Sequence, residues 1–184
     1  MSGSVENILF MQRGQEKPQG NVALFIDHDN MFLSGRNNGI SYGYDFDVPI
    51  KECRKYGRVV FARTYGNFAG KEHELFKRGI EPVFTPFKSR GAADYEGERP
   101  KSMADPMMIC DLLQTLYEKP YIDTFIIASG DRDFVPVLFN IGKHKDKKQV
   151  VIIGFEDSRS ALLIDACTYL NFKFCDYKKI SNEK

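Results

Sequence analysis

Apolar residues along the chain fall into short unbroken runs separated by polar stretches of helical length, and two of the runs end on acids. Val22 to Ile26 is apolar throughout and stops at Asp27, His28, Asp29 and Asn30. Phe125 to Ala128 stops at Ser129 and Gly130, with Asp131 and Asp133 immediately after. Continuous apolar runs rich in β-branched residues mark strands buried on both faces, as in parallel sheets. Similar runs predict further strands over Arg58–Tyr65, Ile80–Phe84, Val150–Ile153 and Phe172–Cys175.

Between these runs the spacing predicts helices. One starts near Asp29 or Asn30, either of which serves as its cap, and one covers Val48–Tyr56 with Pro49 in its first turn. A charged helix covers Lys71–Arg78. Asp105-Pro106 opens another, with the aspartate as cap and the proline at its first position. Val135 to Gly142 and Ser158 to Leu170 supply two more, and the polar stretch from Asp176 to Lys184 is expected to fray. The alternation of strand and helix argues for an α/β fold, a doubly wound and mainly parallel sheet with helices on both faces.

At 184 residues the chain suits one domain with a substantial core. The expected division is a flexible N-terminal arm over 1–20, a single domain over 21–178 and a polar tail over 179–184. Lys plus Arg number 26 against 25 for Asp plus Glu, so no global field draws the chain to nucleic acid, and any polyanion must be held by a local patch. No stretch approaches the roughly 20 consecutive apolar residues of a membrane span, and no signal-peptide pattern opens the chain. A cytoplasmic protein with no membrane partner is the expectation. Cys53, Cys110, Cys167 and Cys175 lack the two-residue spacing of zinc or redox motifs and read as reduced core thiols. No glycine-rich phosphate loop follows a strand, which counts against nucleotide-binding folds of the two common kinds.

The chemistry is carried by carboxylates from separate segments: Asp27 and Asp29 after the first strand, Asp105 at a helix start, Asp131 and Asp133 after the central strand. Acids this close repel each other and are best reconciled by a hard divalent cation such as Mg²⁺ or Mn²⁺. The competing structural reading has Asp131 capping a helix that starts near Asp133, with Asp133 favouring the N-terminal dipole of that helix. If the first and central strands are neighbours, their ends lie about 5 Å apart, and shared cations there would activate water against phosphorus. Asp111, about 120° around the helix from Asp105 at 3.6 residues per turn, needs another or an outer role.

Ala23-Leu24-Phe25-Ile26-Asp27 with Asn30, then Lys101 with Asp105 and Asp111, then Ser129-Gly130-Asp131-Arg132-Asp133-Phe134, together resemble the signature of the NYN domains, and most closely their LabA-like bacterial branch. The resemblance covers about Asn21 to Lys178. It implies a PIN-like fold and cleavage of RNA with Mg²⁺ or Mn²⁺ held on Asp27, Asp105, Asp131 and Asp133. Asn30 and Asp111 would support them, with Asp29 beside the site, and Ser129 would hold a ligand or phosphate. Two positions depart from the family pattern: His28 stands where a small residue is usual, and Ala166-Cys167 where an Ala-Asp pair is common.

Basic and aromatic residues fit the same picture. Arg63, Lys88, Arg90, Lys101 and Arg132 are candidate phosphate contacts, with Lys101 also placed to stabilise a leaving oxygen. Tyr65 or Phe68 is a candidate stacking surface for a base, and His28 a candidate for proton transfer. The expected function is metal-dependent hydrolysis of RNA, single-stranded RNA included. The alternatives are a nucleic-acid-binding regulator of the same fold with little turnover, or a hydrolase of small phosphate esters. Edge strands and the N-terminal arm leave a homodimer open.

Overall fold

Among the described residues the apolar runs become six strands of one sheet: β1 Gly20–Asp27, β2 Gly57–Gly66, β3 Glu81–Phe84, β4 Thr124–Ala128, β5 Gln149–Gly154 and β6 Lys173–Asp176. The computed structural model describes residues 20–68, 70–85 and 103–183. The strands lie in the order β3-β2-β1-β4-β5-β6, and every pairing is parallel. The chain builds outward from β1 through β2 to β3, then returns to the other side of β1 with β4. The order reverses between β1 and β4, and the crevice beyond the carboxyl ends of two such strands is where open α/β sheets bind ligands.

Among the described residues the strands are joined and followed by seven helices: α1 His28–Asn37, α2 Asp47–Cys53, α3 Glu72–Lys77, α4 Ala104–Glu118, α5 Val135–Lys143, α6 Ala161–Leu170 and α7 Tyr177–Asn182. Successive residues of a strand point to opposite faces, so β1 feeds two cores at once. Val22, Leu24 and Ile26 pack with Met31, Cys53, Leu75 and Ile180, from α1, α2, α3 and α7. Ala23 and Phe25 pack with Met108, Leu138 and Leu163, from α4, α5 and α6. Burial on both faces explains why β1, β4 and β5 read as unbroken apolar runs.

Several local expectations need correcting. Asp27, not Asp29 or Asn30, caps α1, its carboxylate accepting from the Asn30 backbone N–H. Asp105 does not cap α4. Met103 holds that position and makes no side-chain bond, so the Asp105 carboxylate is not spent on a backbone N–H there. The helix predicted from Ser158 starts at Ala161, after a single 3₁₀ turn over Glu156–Ser158. Cys53, Cys167 and Cys175 are buried, but Cys110 is exposed. The basic loop from Lys88 to Lys101 and the arm over 1–19 lie outside the described residues. None of the helices is long and apolar enough to cross a membrane among the described residues.

The end expected to fray forms α7, because Tyr177 and Ile180, three residues apart, bury one stripe against the core. The Tyr177 ring packs on Phe155 with centroids 4.7 Å apart, and its hydroxyl accepts from the Asp45 backbone N–H at 2.7 Å. We predict that Tyr177→Ala lowers stability by about 3–5 kcal/mol, as loss of a large buried ring does, whereas Tyr177→Phe costs about 1 kcal/mol. Urea unfolding of the two variants checks this. Equal losses would mean that the hydrogen bond, not packing, holds the helix.

Candidate active site

Three chain segments meet at the switch point. β1 ends on Asp27, which is 2% exposed, and Asp29 follows in the first turn of α1. β4 continues into Ser129 and Gly130, both buried. Beyond them Asp131 caps the 3₁₀ turn Arg132–Phe134, accepting from the Asp133 backbone N–H at 3.0 Å. Asp105 comes from the first turn of α4. β1 and β4 are adjacent, with Ile26 opposite Ala128, as the proposed neighbouring of the two acid-bearing ends requires.

Short hydrogen bonds tie these segments together. Ser129 Oγ donates to Asp27 Oδ2 at 3.0 Å and accepts from the Asp131 backbone N–H at 3.2 Å. Asn30 Oδ1 accepts from the Gly130 backbone N–H at 3.0 Å, while the Asn30 N–H donates to Asp27 Oδ1 at 3.1 Å. Ser129 and Asn30 therefore stitch the end of β1 to the turn after β4. On the β2 side, Gly66 has φ +144°, and a Cβ there would come within 2.9 Å of Asp29 Oδ1 and 3.0 Å of His28 Cβ. Only glycine lets the strand end pass so close to those side chains.

The electrostatics are those of a crowded anionic site. Burial, and then the neighbouring Asp105 charge, push the Asp27 carboxyl up to about 7 against the lowering effect of its hydrogen bonds from Asn30 and Ser129. Asp105 is pushed up to about 6, first by burial and then by the charges of Asp131, Asp133 and Asp29. Five carboxylates thus feel one another across a span of more than a hundred residues of sequence. Such a set of hard oxygen donors matches Mg²⁺ or Mn²⁺ in chemistry. Among the described residues, however, no three His, Cys, Asp or Glu side chains are gathered closely enough to hold a metal ion as they stand.

The remaining predicted site residues divide. Asp111 turns away from the acids: its carboxylate accepts from Arg63 Nη1 at 2.9 Å and from the Tyr65 hydroxyl at 2.7 Å. Arg63 is further tied to Glu81 at 2.7 Å. Asp111 therefore fastens α4 to β2 one and two-thirds helical turns below Asp105, a positioning role. Arg63, held by two carboxylates, is a poor phosphate contact, which corrects that expectation. Tyr65 and Phe68 are also corrected, since at 0% and 1% exposure neither ring has a face open to a base. Arg132 is exposed, as a phosphate contact must be. Lys88, Arg90 and Lys101 lie outside the described residues.

His28 is not available for proton transfer at neutral pH. Its ring is caged by Phe32, Tyr44, Phe46 and Phe68, with Nδ1 2.8 Å from the Tyr44 hydroxyl. Burial and then the Lys71 charge lower it to about 4. Its size in place of a small residue is absorbed by the aromatic cage rather than by the acid site. Two residues that sequence reasoning passed over also border this region: Lys71, whose ammonium lies 5.7 Å from the Phe32 ring centre, and Phe84, at the carboxyl end of β3 and 52% exposed. Their one signal in the sequence was position, since both follow or end a strand on the site's side of the sheet.

A parallel α/β sheet with acids converging at its switch point defines the class of PIN-like domains. The chain belongs to the NYN domain family, whose model matches residues 21–173, a PIN-like family whose members are generally nucleases. Among solved structures, the fold is similar to the crystal structure of a protein of unknown function from Vibrio parahaemolyticus. The TM-score is 0.64 at 20% identity, over 89% of this chain and 96% of that one. No curated protein matches the sequence at a significant level.

The raised carboxyl pKa values set a pH dependence. Between the ordinary carboxylate range and about 7, the folded chain binds protons that the unfolded chain has already released, so stability falls as pH rises through this window. The penalty is absent below about 4 and complete above about 7. With metal chelated, the urea midpoint is predicted to be higher at pH 5 than at pH 8, and Asp105→Asn should narrow the gap by raising the pH 8 value. A midpoint in that variant that falls equally at both pH values would remove the carboxylate repulsion as its cause.

Proposed function

We propose that the chain is a metal-dependent ribonuclease that hydrolyses phosphodiester bonds at the switch point between β1 and β4. The observation that carries the reading is the convergence of Asp27, Asp105, Asp131 and Asp133 from separate segments, with burial and mutual repulsion raising two of them. A pure binder gains nothing from clustering negative charge against a polyanion. These four aspartates would hold Mg²⁺ or Mn²⁺, which when bound lowers the pKa of water and offsets charge developing on the phosphoryl oxygens.

The chain's own part is orientation and charge. Ser129 fixes Asp27 and the Asp131 backbone relative to each other. Asn30 holds the Gly130 turn against α1, and the Asp111–Arg63 pair sets the height of α4 and so of Asp105. Asp133 and Arg132 border the site on the solvent side, one to tune its charge and the other to meet a phosphate. The substrate class proposed for these acids, with the exposed Arg132 beside them, is an RNA strand. The LabA-like branch is the best match for the order and spacing of the three motif blocks.

One observation favours the second reading, a nucleic-acid-binding module with little turnover: no three acidic side chains stand at coordination distance among the described residues. Cleavage of labelled single-stranded RNA, with Mg²⁺ or Mn²⁺ titrated against an EDTA control, separates the two. We predict metal-dependent products that disappear in Asp131→Asn while the far-ultraviolet spectrum and urea midpoint show the variant folded. Binding without products in any metal would sink the enzyme and leave the module. Because Asp27 and Asp105 must lose protons to bind a cation, cleavage is also predicted to rise with pH between about 5.5 and 8. A rate that is flat or falls over that range would argue against these two carboxylates as ligands.

A further inference from the structure

We infer that Phe84 and Lys71 form a strand-binding subsite beside the acids, in which Phe84 stacks on an unpaired base and Lys71 meets the backbone phosphate between that base and the centre. The inference rests on the ribonuclease reading for the direction in which the strand runs, and it adds to it the two residues, neither of them at the acids, that would take an unpaired base and its phosphate.

Three observations carry it. First, Phe84 is the last residue of an edge strand and 52% exposed, whereas the aromatic residues behind it are buried. Its ring meets Phe68 edge-on, with centroids 5.5 Å apart and planes at 68°. Phe68 in turn lies 5.0 Å from His28, the residue after Asp27. A chain of tilted and edge-on aromatic contacts thus runs outward from His28 and ends in a half-exposed ring held from behind. A solvent-facing phenyl ring fixed by an edge-on partner keeps its orientation without collapsing into the core.

Second, the register sets the distance. Asp27 pairs with Tyr65, and the next residue of β2, Gly66, pairs with Phe84. Phe84 therefore faces the α1 side of the sheet, with Phe68, while Asp27 faces the α4 side. The link between them is Gly66, one strand spacing of about 5 Å from Phe84, where a Cβ would stand 2.9 Å from Asp29 Oδ1, so a strand with a base on Phe84 reaches the acids over Gly66 and Asp29. Third, Lys71 stands along the same flank. Its backbone N–H donates to the Phe68 carbonyl, and its ammonium rests 5.7 and 6.0 Å from the Phe32 and Phe46 ring centres. It brings positive charge to a path that otherwise leads a polyanion toward carboxylates, and phosphate contacts of this kind position a strand. Bases in a duplex hide their faces in the stack, so an aromatic platform selects single strands.

The test measures binding without turnover, so that it is independent of catalysis. Fluorescence anisotropy of a labelled uridine decamer and of a labelled RNA hairpin, both with Mg²⁺, is recorded for the full chain carrying Asp131→Asn, alone and combined with F84A, F84L, F84W or K71Q. F84L keeps the apolar contact with Phe68, and thermal melts confirm that each variant is folded. The expected result is a loss of decamer affinity of about ten- to hundredfold in F84A and F84L, the range that base–aromatic stacking carries. F84W should retain affinity, and K71Q should weaken binding and shallow its salt dependence by about one phosphate contact, while the hairpin is little affected throughout. Parent-like decamer binding in F84L, equal losses for decamer and hairpin, or a parent that fails to bind the decamer would each overturn the subsite. Decamer binding lost in F84L, in a protein whose wild-type form cuts no RNA, would keep the subsite and sink the nuclease reading alone.

Discussion

Burying the Asp27 carboxylate at the end of β1, in the central strand pair, is the constraint to which the rest of the site is fitted. Its ionisation is pushed from 3.8 to about 7, which opposes the charged form by on the order of 4 kcal/mol. The fold places it there because one side chain closes three structures. It ends β1, caps α1 through the Asn30 N–H, and receives the Ser129 hydroxyl from the neighbouring strand. Moving it would release a helix end and a strand end together. The cost is borne by the two cores that β1 joins, since its apolar residues are fully buried on both faces of the sheet.

The two flanks of the acid site are built from opposite chemistry. On the α4 side, Asp111, Arg63, Glu81 and Tyr65 form a polar lock between helix and sheet, in which Arg63 spends its guanidinium on two carboxylates within the protein. On the α1 side, His28 sits neutral in a cage of aromatic rings, and the Tyr44 hydroxyl meets its Nδ1. The aromatic flank adds no charge to the centre, and on the other flank Arg63 offsets the carboxylate of Asp111. The polar lock fixes how far α4 projects Asp105, and the aromatic cage gives the first turn of α1 a rigid seat beside Asp27. Precision of this kind is what a site made of mutually repelling groups needs, because each carboxylate would otherwise relax away from the others.

The reading of individual residues shows where sequence reasoning works. The ends of β1 and β4 were legible because strands buried on both faces carry no alternation, and acids placed directly after such runs have nowhere to go but the sheet's carboxyl edge. Asp111 and Arg63 were not legible as a pair. They lie 48 residues apart, and nothing in their spacing reveals that β2 lies under α4. Asp105 was misread as a cap, because Asp-Pro at a helix start fits that role equally well. α7 was missed because its buried stripe is only Tyr177 and Ile180, too short to stand out as a periodicity.

The sequence by itself determined the element types, the alternation that makes a parallel α/β sheet, and the identity of the acids at the strand ends, because local burial and chain geometry act over a few residues. The tertiary structure decided the strand order, and with it that β1 and β4 are neighbours. It also decided which charges are paired and which repel, and which aromatic rings are closed over and which, like Phe84, stay open. Those outcomes depend on contacts between segments tens to a hundred residues apart, and Coulomb and packing forces act through space without regard to their separation along the chain.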